Sequence, residues 1–382
     1  MKRSLYGPDH DLFRETAREF VQREVVPNVD RWEAQGRIDK DMFRSAGKAG
    51  LLGMAVPERY GGGGVPDFRF NAVVGEELVY SGSFASGIAI TLHNDVVSPY
   101  LIGLCDEEQC ERWLPGIVSG DLMTAVAMTE PGAGSDLAGI KTTAVRDGDH
   151  YIVNGSKTFI TNGINSDLVV TVVKTDPALR HVGMSLLVVE DGMEGFTRGR
   201  NLEKIGLHAQ DTAELFFEDV PVPVANLLGE EGRGFASLMD NLPQERLSLA
   251  VGSVAHAQLA FDWALEYVKE RDAFGQKVGS FQTVKHLMAE LRTELDVAQT
   301  FVDSQIVALN AGELTPEDAA ECKWWVTEME NRVIDRCLQM FGGWGYMEEY
   351  PIARAFRDAR VQTIYGGTTE IMKEIIGRSL GL

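Results

Sequence analysis

HYIVNGSKTFITNG, residues 150–163, is a short run of β-branched and aromatic residues that closes on an Asn-Gly turn. The segments around it are built alike: LMTAVAMTE (122–130), KTTAVRDG (141–148), DLVVTVVKT (167–175), MSLLVVEDG (184–192) and TAELFFEDVPVP (212–223). Runs of this kind, separated by Gly, Asn and Asp, favour extended strands joined by tight turns. They predict a small antiparallel barrel or sandwich, not βαβ units.

On both sides of this block the period changes. Phe13, Ala17, Phe20 and Glu24-Val25 follow a helical repeat until Pro27, and further helices are expected over 39–52, 67–80, 84–103 and 107–118, with the GGGG run at 61–64 as a loop. The chain turns helical again near Gly229–Gly234, with long amphipathic segments over about 246–270, 282–310, 317–340 and 369–380. The expected fold is therefore an α+β multidomain chain. It comprises an N-terminal helical domain (1–121), a central β domain (122–232) and a C-terminal helical domain (233–382). No G-x-G-x-x-G follows a strand and opens a helix, and GEEGRGF (229–235) has the wrong spacing, so a nicotinamide-binding Rossmann unit is not expected.

Composition narrows the function. With 36 Lys and Arg against 57 Asp and Glu, the formal charge is −21, which argues against a nucleic-acid partner. No stretch approaches the ~18 apolar residues of a membrane span, and the N-terminus has no apolar signal region. The four cysteines form no C-x-x-C and read as reduced thiols of a cytoplasmic protein. His256 and His286 lack partners at ligand spacing, so structural or surface roles are expected and no metal is.

Four segments have chemistry beyond connection. In MTEPGAGSD (128–136), Pro131 and the glycines at 132 and 134 clear the backbone for a ligand, with hydroxyls from Thr129 and Ser135, although a polar connecting loop would look the same. KTFITNG (157–163) sets Phe159 beside Thr161 and Asn162, a stacking face with edge hydrogen bonds for a flat heteroaromatic ring; an aromatic here can equally be barrel core. In RDAFGQKVGSFQ (271–282), Arg271 can hold a phosphate, or the segment is a solvated loop. QMFGGWGYMEEYPIARAFRDARVQTIYGGTTEI (339–371) has two Gly-Gly pairs in aromatic surroundings, implying close approach of a planar ligand or another chain.

In this order and at these separations, the four segments resemble the acyl-CoA dehydrogenase family of flavoproteins over nearly the whole chain. Within that family, PQERL (243–247) and IYGGTTEIMKEI (364–375) are most similar to the long-chain type. The resemblance implies a helical domain, a β-barrel and a C-terminal four-helix bundle, with FAD as cofactor. It implies that Met128, Thr129, Gly134 and Ser135 line the flavin and its pyrophosphate, with Ser135 also near CoA. Phe159 and Thr161 would cover the isoalloxazine; many members have Trp where this chain has Phe159. Arg271, Phe274, Gln282, Gln339, Gly342 and Gly343 would reach the FAD of a neighbouring subunit, implying a homo-oligomer, usually a tetramer. Thr368 and Glu370 would contact the adenine side.

The implied reaction removes the α-proton of an acyl-CoA while the β-hydrogen leaves as hydride. In the commoner family pattern the base follows the tyrosine of a Tyr-Glu-Gly-Thr run; here Tyr365 is followed by Gly366 and Gly367. Glu245 matches the alternative base position on a bundle helix, directly before Arg246. Two carboxylates facing one thioester would repel, so glycine at 366 suits a base at 245. Arg246, Tyr365, Gly366 and Gly367 are the implied substrate-side residues, with the Gly366 N–H helping to bind the thioester oxygen. The acyl pocket is expected from about 92–100 and 236–249. The implied electron acceptor is an electron-transfer flavoprotein. An oxidase, an acyl-carrier-protein thioester dehydrogenase or a non-catalytic flavin scaffold are the other readings.

Overall fold

The change of period at residue 122 is a change of architecture. The computed structural model describes residues 3–382, and from Pro8 to Ser119 its regular elements are helical. These are α1 (Pro8–Phe20), α2 (Val29–Gln35), α3 (Lys40–Lys48), α4 (Phe68–Val79), α5 (Phe84–Thr91), α6 (Ser98–Leu104) and α7 (Glu107–Ser119). Local chemistry sets the ends. Asp106 accepts from the Gln109 N–H at the start of α7, and Gly120 takes a left-handed φ of 78° at its end.

The single helix expected over 84–103 is three pieces. A π-helical turn, Leu92–Val97, separates α5 from α6. Such turns insert one residue per bond and rotate the helix beyond them, a tertiary adjustment that periodicity does not reveal.

Eight strands come next: β1 (Thr124–Ala127), β2 (Thr143–Asp147), β3 (His150–Thr161), β4 (Leu168–Lys174), β5 (Met184–Glu190), β6 (Phe196–Asn201), β7 (Thr212–Pro223) and β8 (Leu227–Leu228). Their order, β6-β7-β3-β2-β4-β5-β8 with β1 on β4, does not close, and β1 and β2 both pair with β4 in parallel. The sheet is therefore mixed and open where a purely antiparallel barrel or sandwich was expected. Turn residues specify local reversals, while the parallel partners are brought in by longer connections.

β4 and β5 are apolar on both faces for a visible reason. Leu168, Val170 and Val172 pack with Trp113 and Leu114 of α7, whereas Val169 and Val173 pack with Tyr151, Val153 and Leu215. One face meets the helices and the other meets the rest of the sheet, following the two-residue period.

The chain then enters α8 (Gly234–Glu270), a short hairpin of β9 (Asp272–Ala273) and β10 (Gln276–Lys277), α9 (Gln282–Asn310), α10 (Pro316–Met340), α11 (Pro351–Ala359) and α12 (Thr369–Ser379). Leu247, Ala250, Val251, Val254, Ala257, Phe261 and Ala264 form the buried stripe of α8, facing Leu291, Leu295 and Val302 of α9 and Val326, Met329 and Val333 of α10. The 3.6-residue repeat is satisfied throughout.

α8 begins at Gly234, where the chain was expected to turn helical again, and it runs unbroken through Pro243, so the long segment expected over about 246–270 is the later part of a helix that starts twelve positions earlier. Before Pro243, the Asn241 Nδ2 donates to the Ser237 carbonyl one turn back at 2.9 Å. Glu245 therefore lies in the second half of the helix's first third, far from any first-turn N–H.

Candidate active site

Glu245 is 7 % exposed, and its neighbours come from three directions. The Tyr100 hydroxyl on α6 donates to Glu245 Oε1 at 2.6 Å. Residues flanking Glu245 tie α8 to the π turn: Gln244 Nε2 donates to the Asp95 carbonyl at 2.8 Å, and Ser248 Oγ to Asp95 Oδ2 at 2.5 Å. Asn71 of α4 holds the other Asp95 oxygen at 2.7 Å. The segments 92–100 and 236–249, expected to line the acyl pocket, thus face each other.

Burial dominates the electrostatics. It pushes the Glu245 carboxyl up to about 7, against the Tyr100 hydrogen bond and the Arg246 charge, which both favour the ionised form. A carboxyl so tuned can accept a proton near neutrality and hold it.

Opposite stands the turn after α11. Gly366 and Gly367 have φ of 64° and 96°, conformations that L side chains rarely adopt. A Cβ at 366 would also overlap Leu249 Cδ1, one turn beyond Glu245 on α8. Two buried cations hold the turn's carbonyls. Lys323 Nζ of α10 donates to Gly367 O at 2.6 Å, and Arg246 Nε approaches Gly366 O at 3.5 Å. Burial, with the Arg246 charge nearby, pushes the Lys323 amine down to about 8. The Tyr365 hydroxyl is buried without a hydrogen-bond partner among the described residues. Thr368 caps α12, its side chain accepting from the Ile371 N–H, and Glu370 lies exposed in that first turn.

The two loops of the β domain lie side by side. The Thr158 N–H donates to Thr129 O at 2.9 Å, and the fully buried Lys157 amine donates to Met128 O at 3.0 Å and Glu130 Oε1 at 2.9 Å. The second Glu130 oxygen accepts the Lys141 N–H at 2.6 Å, and Oε1 also takes the Thr142 N–H at 3.0 Å. A register shift between Lys157 and Ile160 puts Phe159 at φ 59° and turns it outward, 68 % exposed. Phe159 is thus a presented face, not barrel core. Thr161 ends β3 beside it, and Gly134 and Ser135 lie exposed with open space at Gly134.

A third group lies elsewhere. Arg271, Gln339, Gly342, Gly343, Trp344 and Tyr267 line a groove of about 490 Å³ where α8 ends and α10 ends. Phe274 stands at the adjacent hairpin tip, 96 % exposed at φ 53°, and Gln282 opens α9. α8 runs unbroken from Glu245 to Glu270 and Arg271 is its C-cap, so Glu245 and Arg271 are about 39 Å apart along the axis at 1.5 Å per residue. The candidate residues therefore form three groups in one chain: Glu245, Arg246 and the 365–367 turn in one, the paired loops at 128–135 and 157–161 in another, and the Arg271 groove in the third.

Reading the sequence missed Tyr100, Asp95, Lys157 with Glu130, and Lys323. Two buried charges of α10 had a signal. Lys323 and Glu330 occupy buried phases of the helix beside Ala319, Val326 and Val333, where a charged residue needs a partner. Tyr100, inside VVSPYLI, had none. His256 is structural as expected: it bonds Glu330 at 2.7 Å and stacks on Phe84.

Comparison with known proteins bears on this geometry. Family models described as the acyl-CoA dehydrogenase N-terminal, middle and C-terminal domains match residues 7–121, 125–220 and 232–381. The chain is 49 % identical over 380 residues to the mitochondrial long-chain specific acyl-CoA dehydrogenase of Sus scrofa, covering 99 % of this chain and 88 % of that one. A crystal structure of an acyl-CoA dehydrogenase from Geobacillus kaustophilus superposes with a TM-score of 0.98 at 51 % identity, over 100 % of both chains. One from Bacillus anthracis, complexed with FAD, does so with a TM-score of 0.92 at 30 % identity, over 98 % of this chain and 68 % of that one.

Proposed function

The chain belongs to the acyl-CoA dehydrogenase family, and from that membership we propose that Glu245 takes the α-proton of an acyl-CoA thioester, giving the trans-2-enoyl-CoA. FAD is its cofactor. The residues fit that group: Phe159 offers an outward aromatic face, and Gly134 leaves open space beside backbone. When bound, FAD supplies a two-electron acceptor for the β-hydrogen.

The observation that carries the proposal is a buried carboxyl, tuned to about 7, set against a glycine turn with no competing carboxylate. The α-proton of a thioester is a weak acid, so the developing enolate oxygen must be stabilised. The Gly366 N–H serves this, and Arg246 and Lys323 add positive potential while fixing the turn. Met128, Thr129 and Ser135 would hold the cofactor and CoA, Phe159 and Thr161 would cover the ring, and Thr368 and Glu370 would lie on the adenine side. The electrons pass on to an electron-transfer flavoprotein.

The test is anaerobic addition of straight-chain acyl-CoAs, followed by absorbance. The flavin bleaches, and slow recovery on admission of air separates a dehydrogenase from an oxidase. Because only ionised Glu245 accepts a proton, and burial raises its pKa, bleaching quickens as pH rises through about 7 and then levels. A rate unchanged from mildly acid to mildly basic pH would count against the base.

The separation of the Arg271 groove from Glu245 supports a site completed by a second copy of the chain. The groove would then hold part of a neighbouring chain's FAD in a homo-oligomer, as a tetramer. Arg271→Ala is expected to lose FAD on gel filtration, seen as a lower flavin-to-protein absorbance ratio. Mixed with Glu245→Gln chains and reassembled, it should recover activity above the sum of the two alone, since each supplies what the other lacks. No recovery would indicate that each chain serves its own cofactor.

A further inference from the structure

Tyr100 is 145 residues from Glu245 in sequence, yet its hydroxyl is the only protein group among the described residues hydrogen-bonded to that carboxyl. We propose that Tyr100 is a positioning residue for the reaction: its O–H fixes the Glu245 carboxylate and sets the pH at which it can take a proton. The inference rests on the reading of Glu245 as base.

The geometry assigns the two carboxyl oxygens different tasks. Oε1 accepts the phenol O–H at 2.6 Å, the length of a charge-assisted bond to a carboxylate. Oε2 makes no hydrogen bond to the protein among the described residues and is left to receive the α-proton. The direction of donation is fixed as well. Burial and the Glu245 charge push the Tyr100 phenol well above its usual range, so it stays protonated and donates throughout the working pH. A buried phenol needs an acceptor and a buried carboxylate needs a donor, so each satisfies the other.

The surrounding fold holds Tyr100 to this task. In an uninterrupted α-helix, residues five apart point about 140° away from each other. Asp95 and Tyr100 are five apart, yet both reach α8, and the π turn Leu92–Val97 that lies between α5 and α6 brings them to one side. Asp95 accepts from Ser248 and Gln244, on either side of Glu245, so the staple locks α8 in register with the phenol.

The other ionisable groups facing the base do not duplicate the bond. On α8 itself, Arg246 favours the carboxylate by charge alone and turns its Nε to Gly366. From the π turn, Asp95 is neutralised in part by burial, which pushes it up to about 6, and is bonded to Ser248 and Asn71. From α10, Lys323 faces Arg246 and Gly367. Tyr100 is therefore the one neighbour that both orients and tunes.

The experiment is Tyr100→Phe, with kcat/KM for a straight-chain acyl-CoA measured against pH. Loss of a hydrogen bond to a charged group is worth about one to two pH units. The bond favours the ionised base, so its removal moves the acid limb up by that amount. Activity near pH 7, where half of the wild-type base is ionised, falls about 5- to 50-fold and recovers to within a few-fold at high pH. FAD content stays at the wild-type level. An unchanged acid limb, whether the rate is unaltered or lowered equally at every pH, overturns the proposal.

If Tyr100→Phe does not fold, 3-fluorotyrosine at position 100 keeps the shape and strengthens the donor, and the limb must then move down. Infrared measurement of the protonated carboxyl band that is lost in Glu245→Gln follows the same pKa without turnover. Glu245→Gln also separates the two readings. If it still bleaches the flavin, the base is misassigned. If it does not, and the limb ignores Tyr100, only the present proposal fails.

Discussion

Glu245→Gln is expected to bind FAD and acyl-CoA and to lose about 10³- to 10⁴-fold in the rate of flavin bleaching, roughly 4–5.5 kcal/mol of barrier. The size follows from the absence of any substitute. Position 366 is glycine, and the nearby buried carboxyl, Asp95, has both oxygens engaged by Ser248 and Asn71. Glutamine keeps the shape and can still accept the Tyr100 hydrogen bond, so fold and flavin content are controls within the same variant.

Stability should move the other way. Burial raises the folded-state pKa of Glu245 to about 7, so the stabilising neutral form is present below the ordinary carboxylate range and lost as pH rises through about 7. Above that pH the native state carries a charge that its surroundings oppose. The glutamine variant carries none, and at pH 8 its melting temperature is expected not to fall. A variant that bleaches normally refutes the base; one that is inactive because it has lost flavin or unfolded refutes the stated cause.

The second large effect concerns a pair that makes no contact with the base. Lys157 is fully buried and joins Glu130 to the Met128 carbonyl, crossing the two loops proposed to bind the flavin. Burial lowers the lysine to about 8 while Glu130 opposes that shift; burial also raises Glu130, but Lys157 and the Thr142 and Lys141 donors hold it below its usual range. Removing one partner of such a pair leaves the other charged and desolvated, which costs about 3–5 kcal/mol. Glu130 retains two backbone donors, so Lys157→Met is expected at about 3 kcal/mol, read by denaturant unfolding. Flavin content should fall with it, because Thr129 and Phe159 are then no longer held in register. Pairing Lys157→Met with Glu130→Gln should regain much of the stability, since the stranded charge is gone. Loss of less than about 1 kcal/mol in the single variant would mean that the loops are held by backbone alone.

Much of the architecture was legible because its causes are local. The two-residue period of the β-branched runs and the 3.6-residue period of the flanking segments are steric properties of neighbouring residues, and they marked the helical, strand and helical blocks. Where a partner distant in sequence intervened, the reading slipped. The parallel pairing of β1 and β2 with β4 is set by longer connections. Pro243 disfavours a helix locally, yet helical turns packed on either side carry α8 straight through it.

The candidate site divides in the same way. The sequence by itself determined which residue types stand where: a glutamate before an arginine at 245, a Gly-Gly turn at 366, glycines and hydroxyls at 128–135 and an aromatic at 159. It could not say that Glu245 is buried, that Tyr100 holds it, that Lys323 and Arg246 face the Gly-Gly carbonyls, or that Arg271 lies about 39 Å along the same helix. Those facts are tertiary because a carboxyl's pKa depends on the water taken from around it and on donors supplied by other elements. Neither exists until the chain has folded.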